Sequence, residues 1–261
     1  MTLPLASPVA LAYAGQRLTA WRHFWRSSLI SNVLEPVLFL AAMGLTLGSL
    51  VDRGQGAPGG VSYLALLAPG LLAAAAMQNA SFESTYPVLG SIKWDKTYEA
   101  VLATPAGVRD VLVGHLLYVG FRVGTASALF LAVLVLFGAA ASPLVVLALP
   151  AAVLTGLAFA APITAFAARL ENDTGFSALQ RFLILPMFLF SGTFFPVSQL
   201  PAFFEWVAYV TPLWHGVALS RGLALGTLEA GPALLHVAYL ALWFAVGVVL
   251  ALRSFRRRLV A

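Results

Sequence analysis

DVLVGHLLYVGFRVGTASALFLAVLVLF, residues 110–137, runs for 28 positions with a single charge, Arg122, after its opening Asp110. An α-helix needs ~20 mostly apolar residues to cross the hydrocarbon core of a bilayer. This stretch is therefore predicted to be a transmembrane helix, and its neighbours repeat the pattern. A short uncharged turn, 138–143, leads into a second apolar run at 144–168. On the N-terminal side lie 29–51 and 61–86, and on the C-terminal side 179–195 and 232–252. Six spans result. Composition agrees: the chain is 61% hydrophobic and 10% charged, with mean hydropathy +0.91. A soluble domain carries roughly a quarter charged residues, so a soluble enzyme is excluded. The 261 residues leave no room beyond six spans and their connections for a separate globular domain of ~100 residues. The whole chain is read as one all-α transmembrane domain. With no cysteine there is neither a disulfide framework nor a thiolate metal site.

Basic residues orient the spans. With both termini in the cytoplasm, the inner side holds Arg17, Arg22, Arg26, Lys93, Lys96, Arg109, Arg169, Arg181, Arg253, Arg256, Arg257 and Arg258. The outer side holds Arg53 and Arg221. The net charge of +5 is thus a topology signal and not a nucleic-acid footprint. The N-terminus carries Ala12 and Ala14 in an A-x-A arrangement but lacks a cationic leader, and Pro4 and Pro8 interrupt its apolar stretch. It reads instead as an interfacial amphipathic helix over 8–27. Leu11, Ala14, Leu18, Trp21 and Trp25 form its apolar face, and Gln16, Thr19, Arg22, His23 and Arg26 its polar face. Between the fifth and sixth spans, 196–231 is apolar and aromatic but broken by Pro196, Pro201 and Pro212. No unbroken span fits there, so short re-entrant helices in the outer leaflet are predicted, capping a pathway.

A charge near the bilayer centre costs roughly 2.5–3.5 kcal/mol on insertion scales, so Arg122 needs a reason. His115, Tyr118, Arg122 and Thr125 recur at helical spacing as one polar stripe on the third span. Gly120 and Gly124 supply a small-xxx-small notch for a close neighbour. Glu35 and Glu83 are the candidate acidic partners, and Gln78 and Asn79 add polar surface to the second span. Two roles fit these residues: a polar lining of a translocation path or gate, or an ion pair that locks helices together.

Catalytic chemistry finds no foothold. His23, His115, His215 and His236 lie on separate elements without metal-ligand spacing. Glu171 and Asp173 sit in a polar inner loop without metal-site companions. There is no Gly-x-Ser-x-Gly elbow and no phosphate-binding loop. Any nucleotide-driven transport therefore requires an ATPase on another chain. The inner connection, 88–108, has room for a short surface helix. Trp94, Tyr98 and Leu102 recur every four residues there as a docking stripe flanked by Lys93, Asp95, Lys96 and Glu99. An interfacial helix resting on lipid is the alternative.

Three motifs add a resemblance. Phe190-Ser191-Gly192-Thr193-Phe194-Phe195-Pro196, followed by Leu200-Pro201, Thr211-Pro212-Leu213 and the run from Arg221 to Gly226, is one. Tyr98-Glu99-Ala100-Val101-Leu102-Ala103-Thr104-Pro105 is the second, and Asn32-Val33-Leu34-Glu35-Pro36 the third. Together they resemble the membrane subunit of type-2 ABC exporters, in the branch of nodulation lipo-oligosaccharide and daunorubicin-type drug-efflux permeases. The resemblance covers nearly the whole chain. It implies two permease copies, expected as a homodimer, and two separate ATP-binding subunits carrying ATP and Mg, with no cofactor or metal on this chain. It also implies that 93–105, including Thr104 and Pro105, and the N-terminal helix form the ATPase-coupling elements. An outer cap of Ser191, Gly192, Phe195, Pro196, Pro201 and Pro212 would follow the fifth span. The expected function is ATP-driven export of an amphiphilic cargo (a lipid-linked saccharide, glycolipid or hydrophobic drug) across a bacterial cytoplasmic membrane. The alternatives are an ATP-independent channel or secondary transporter, which would show internal hydropathy repeats, and a membrane-embedded lipid-modifying enzyme.

Overall fold

A computed structural model describes residues 7–23, 25–26, 30, 34, 37–48 and 61–260. Glu35 and the two ends of the predicted first span lie largely outside the described residues, as does Arg53. The described part is helical, with no strand among the described residues. In chain order the helices are α1 (Pro8–Trp21), a π-helical stretch (Leu40–Leu47), α2 (Tyr63–Glu83), α3 (Tyr86–Lys93) and α4 (Thr97–Leu102). The long α5 (Val108–Leu136), α6 (Ala148–Ala167) and α7 (Thr174–Leu179) follow. Then come α8 (Leu185–Phe190), α9 (Ala202–Val210), α10 (Pro212–Leu225) and α11 (Ala230–Leu259).

Among the described residues, four helices are long and apolar enough to cross a membrane: Tyr63–Lys93, Val108–Leu136, Pro143–Ala167 and Ala230–Leu259. The fifth predicted span is shorter. Its helical path, Thr174–Phe190, passes through wide π-type turns at Gln180–Ile184. It begins earlier than residue 179 because Asn172 accepts from the Thr174 backbone N–H and starts a turn there. It stops at Phe190 because Gly192 adopts φ +81°, a left-handed conformation that only glycine enters freely.

The packing is organised around α2, the most enclosed of the long helices, whereas α11 presents most of its surface outward. α6 packs on α2, α5 and α11, and α10 is wedged against α2, α6 and α11. Small residues permit these approaches. A Cβ on Gly247 of α11 would meet Pro162 Cδ of α6 at 2.6 Å, and one on Gly156 would meet the Ala76 carbonyl oxygen at 3.1 Å. The predicted notch at Gly120 and Gly124 is looser than expected. Cβ atoms there would stand 3.7 and 3.6 Å from Leu157 and Val153, ordinary contact distances that would admit alanine. The tight point on α5 is Gly114, where a Cβ would come within 2.8 Å of the Ala10 carbonyl oxygen on α1.

The connections sort to two ends. At one end the start of α2, the 138–143 turn, the 192–193 break and the end of α10 meet: Ala141 and Ser142 donate to the Ala224 carbonyl, and Arg221 reaches Leu66, Gly192 and Thr193. At the other end α1, the α3–α4 connection, 169–174 and the basic tail of α11 meet, through Tyr13–Tyr98, Tyr98–Phe255 and Lys93–Glu171–Arg258. The segments predicted as inner therefore share one end of the bundle.

Candidate functional site

The connection after α2 is two short helices with a break between them. Lys96 takes a left-handed conformation, φ 48°, which ends one helix and starts the next. That break undoes the predicted docking stripe, because four-residue spacing marks one face only along a continuous helix. Trp94 is 63% exposed and lies over Gly90, Tyr98 is fully buried, and Leu102 is half-buried. Lys93, Asp95, Lys96, Glu99, Thr104 and Pro105 are all exposed. The outward surface is thus an exposed tryptophan among charges, and Tyr98 is its anchor. Tyr98 packs on Tyr13 of α1 at 6.3 Å and on Phe255 of α11 at 5.4 Å between ring centroids, and burial pushes its hydroxyl pKa up.

Glu171, read from the sequence as part of a solvated turn, is a hub at this same end. Its carboxylate pairs with Lys93 at 2.8 Å and with Arg258. Hydrogen bonds from Arg258 and then Lys93 pull its pKa down to about 2. Beside it, Arg169 Nε donates to Ser254 Oγ at 2.9 Å. The 4–5 connection is therefore tied to both the α3 end and the C-terminal helix.

The polar stripe on α5 faces α1. Arg122 Nε donates to Glu83 Oε1 at 3.0 Å, with the two side chains 17% and 10% exposed, and its guanidinium lies 5.9 Å from the Trp21 ring. The acidic partner in the described structure is Glu83. One turn along, Arg17 stacks on the Tyr118 ring at 4.5 Å and sits 3.2 Å from His115 Nδ1. Arginine has donors only, so His115 accepts at Nδ1. The neutral ring then carries its proton on Nε2, aimed at Thr164 Oγ1 of α6, 3.4 Å away. Thr125 donates to the Arg122 carbonyl in its own helix. Ser7 caps α1 and donates to the Asp110 carboxylate, which in turn accepts from Gly107 N–H at 2.8 Å, so α1 and the start of α5 are also joined at their N-termini. The predicted faces of α1 change accordingly. Ala10, Tyr13 and Ala14 are buried against protein, Arg17 turns inward with them, and Leu11 is 56% exposed. Helix–helix packing has taken the face that was assigned to lipid.

Gln78 and Asn79 are placed differently. Both line a cavity of about 60 Å³ with Phe39, Ser127, Phe130 and Phe188, among others. Gln78 also borders a larger cleft of about 400 Å³ toward the Tyr98 end, where Ser81, Thr85, Ser177, Gln180 and Arg181 mix with aromatic side chains. Glu83, His115, Tyr118 and Arg122 line neither space. The residues grouped as one path separate into an engaged set under α1 and an open set between α2 and the fifth helical path.

At the opposite end, Ser191 Oγ and Thr211 Oγ1 share a hydrogen bond at 2.9 Å, holding the 191–193 break against the start of α10. Thr211 also caps α10, and Pro212 occupies its first turn. Pro196 and Pro201 flank the single turn Val197–Gln199, so the helix breaks fall at the three prolines. Phe195 is half-buried beside them. Arg221, counted from the sequence as an outer charge, instead satisfies carbonyls: Nε donates to Leu66 O at 2.9 Å and a terminal nitrogen to Gly192 O at 2.7 Å. The chain reversal also joins two histidines that the sequence separates. His215 Nε2 donates to the Tyr209 carbonyl, so its Nδ1 accepts from His236 Nδ1 at 2.9 Å. A pattern search cannot find such a pair, because twenty residues of turn and helix lie between its members. No group of three metal-ligating side chains occurs among the described residues.

Comparison with known proteins bears on this geometry. Residues 16–225 match the ABC-2 type transporter family. Nodulation protein J of Rhizobium leguminosarum bv. viciae is similar over nearly the full length, 33% identical with 99% of this chain and 98% of that protein covered. Nodulation protein J of Sinorhizobium fredii is 32% identical over 93% and 90% of the two chains. The inner membrane transport permease YadH of Escherichia coli is 26% identical over 76% and 77%. The chain belongs to the ABC-2 type transporter family, a membrane transport subunit and not an enzyme, with the ATPase on a separate partner chain.

Proposed function

We propose that this chain is the permease of an ATP-driven exporter, working as a homodimer with two ATP-binding subunits that hold the ATP and Mg. It spans a bacterial cytoplasmic membrane six times with both termini inside, and it moves an amphiphilic cargo outward. A lipid-linked saccharide, a glycolipid or a hydrophobic drug fits that description. The observation that carries the reading is the exposed Trp94 among Lys93, Asp95, Lys96 and Glu99, held at the α1 and C-terminal end by the buried Tyr98. An exposed aromatic ringed by charge is the composition of a docking hot spot. The charge asymmetry assigns that end to the cytoplasm, where an ATP-binding partner would meet it. The family and the name of one relative, inner membrane transport permease YadH, support a transport role.

Gln78, Asn79 and the cleft beside them supply the polar surface for the cargo's head group, and the apolar walls supply the surface for its tail. The Ser191–Pro212 region, with the short helices after it, closes the outer end in this reading. Pull-down of the tagged chain should recover an ATP-binding protein. Trp94→Ala should lower ATP hydrolysis by the complex roughly tenfold, as loss of one aromatic hot spot does. Glu99→Gln should lower it less. Transport by the chain alone, without nucleotide, would overturn the exporter reading.

A further inference from the structure

Arg17 is a half-buried cation with no carboxylate at ion-pair distance among the described residues. Its contacts lie on α5, with His115 and Tyr118. One turn earlier on α1, Tyr13 packs edge-on against Tyr98 of the inner connection at 6.3 Å, so α1 touches both. His115 carries the contact on to Thr164 of α6. A topological charge would be met by water or lipid head groups. This one is instead turned onto an aromatic face and a ring nitrogen, an arrangement that uses both the charge and the donor fork of arginine. Around it the fit is close: Tyr13 and the Ala10 carbonyl press on Gly114.

We propose that Arg17 is a positioning residue that fastens α1 and the Tyr98-anchored connection to α5, so that a push from the ATP-binding partner moves all three as one piece. The proposal rests on the exporter reading above. It assigns to α5 the moving role and to Arg17 the link, and it explains why the polar stripe faces a helix and not a cavity. A two-state element biased from one end is what coupling between distant sites requires. Here the bias enters at Trp94 and leaves along α5.

The absence of native cysteine makes the test direct. Leu136→Cys, at the far end of α5 and 84% exposed, gives a single site for a bimane fluorophore. The labelled chain is reconstituted in lipid with its ATP-binding subunits, and two readouts are taken: ATP hydrolysis, and the emission change on adding ATP and vanadate. In Arg17→Gln, copurification of the partner should persist and hydrolysis should stay within about twofold, while the emission change falls at least roughly fivefold. His115→Leu, which removes the acceptor, should reproduce the loss. His115→Gln, which keeps an acceptor, should restore most of the response. Arg256→Gln, an exposed position on the basic tail of α11, should leave both readouts unchanged.

Wild-type emission in Arg17→Gln overturns the proposal. So does a parallel loss of hydrolysis, copurification and emission, which would mark Arg17 as a fold-stabilising residue only. If Arg17→Gln does not reach the membrane, Arg17→Lys is read by the same two criteria. A wild-type complex that hydrolyses ATP without any response at residue 136 also overturns it, because α5 would then not move. A wild-type chain that recovers no ATP-binding partner sinks the exporter reading instead, and the two failures are thereby told apart.

Discussion

Two helices carry the polar side chains that a bilayer-spanning segment can least accommodate, and the fold treats them in opposite ways. On α5, His115, Tyr118 and Arg122 each have a partner: Arg17 for the first two, Glu83 for the third, with Trp21 beside it. On α2, Gln78 and Asn79 border open space, apart from a local bond from Asn79 to the Ala75 carbonyl. Both sets break the apolar pattern in the same manner, and one-dimensional patterning does not separate them. The difference teaches that a polar residue in a span is explained by what packs over it. Where a second helix covers the stripe, its polarity joins elements together. Where no helix covers it, a cavity with polar walls remains.

The strongest way to break this contrast is to unpair the α5 set. Arg122→Leu would leave Glu83 buried without its cation, and loss of one member of a buried pair costs ~3–5 kcal/mol. A large fall in the thermal unfolding midpoint of the detergent-solubilised protein is expected. Replacing both residues with apolar side chains should recover most of it. Equal stability for the single and double variants would show that the pair does not lock the helices.

A smaller effect is expected where α1 crosses α5. Gly114→Val places side-chain atoms against the Ala10 backbone, and overpacking of this kind costs ~1–3 kcal/mol. Gly120→Ala meets only ordinary contacts and should be neutral within ~0.5 kcal/mol. Chemical or thermal unfolding of the two variants side by side checks the pair of expectations. Reversal of their order would return the close approach to the notch that the sequence suggested.

For the α2 set the prediction is inverted. Gln78→Leu should leave stability within ~0.5 kcal/mol, yet lower export by about tenfold, the equivalent of one lost hydrogen bond to cargo at ~1.4 kcal/mol. Vesicle uptake of a fluorescent glycolipid, measured against ATP hydrolysis, is the check. Unchanged uptake would remove Gln78 from the path. The smallest effect is expected at Glu171. Its carboxyl is held down to about 2, so its pairs with Lys93 and Arg258 are present above pH 4.5 and fade only as pH falls toward 2. The group is fully exposed, and Glu171→Gln should give no resolvable change in Tm at neutral pH, since exposed pairs contribute little.

Much of the architecture was legible in the residues, for reasons that particular segments show. Continuous apolar runs of more than twenty residues fix α2, α5, α6 and α11 as long helices, because the backbone must satisfy its own hydrogen bonds in lipid. Pro196, Pro201 and Pro212 fix the interruptions after the fifth helical path, since each removes a donor and clashes with the preceding turn. Trp94, Lys93 and Glu99 were legible as an exposed group. Tyr98 was not: a left-handed Lys96 rotates it inward, and local sequence does not announce that turn.

The candidate site was legible as residue types and not as partnerships. Arg17 belonged to the charge count that orients the spans, Glu171 to a solvated turn, and His215 and His236 to separate elements. Each found its partner only when helices distant in sequence came together. Hydropathy, charge asymmetry and proline position act locally or through the bilayer, so the amino-acid sequence by itself determined a helical membrane protein and where its helices break. Which polar groups are paired and which are left facing a cavity depends on the geometry of helix against helix. Tertiary structure alone decided that, because the cost of a buried charge is set by the neighbour that meets it.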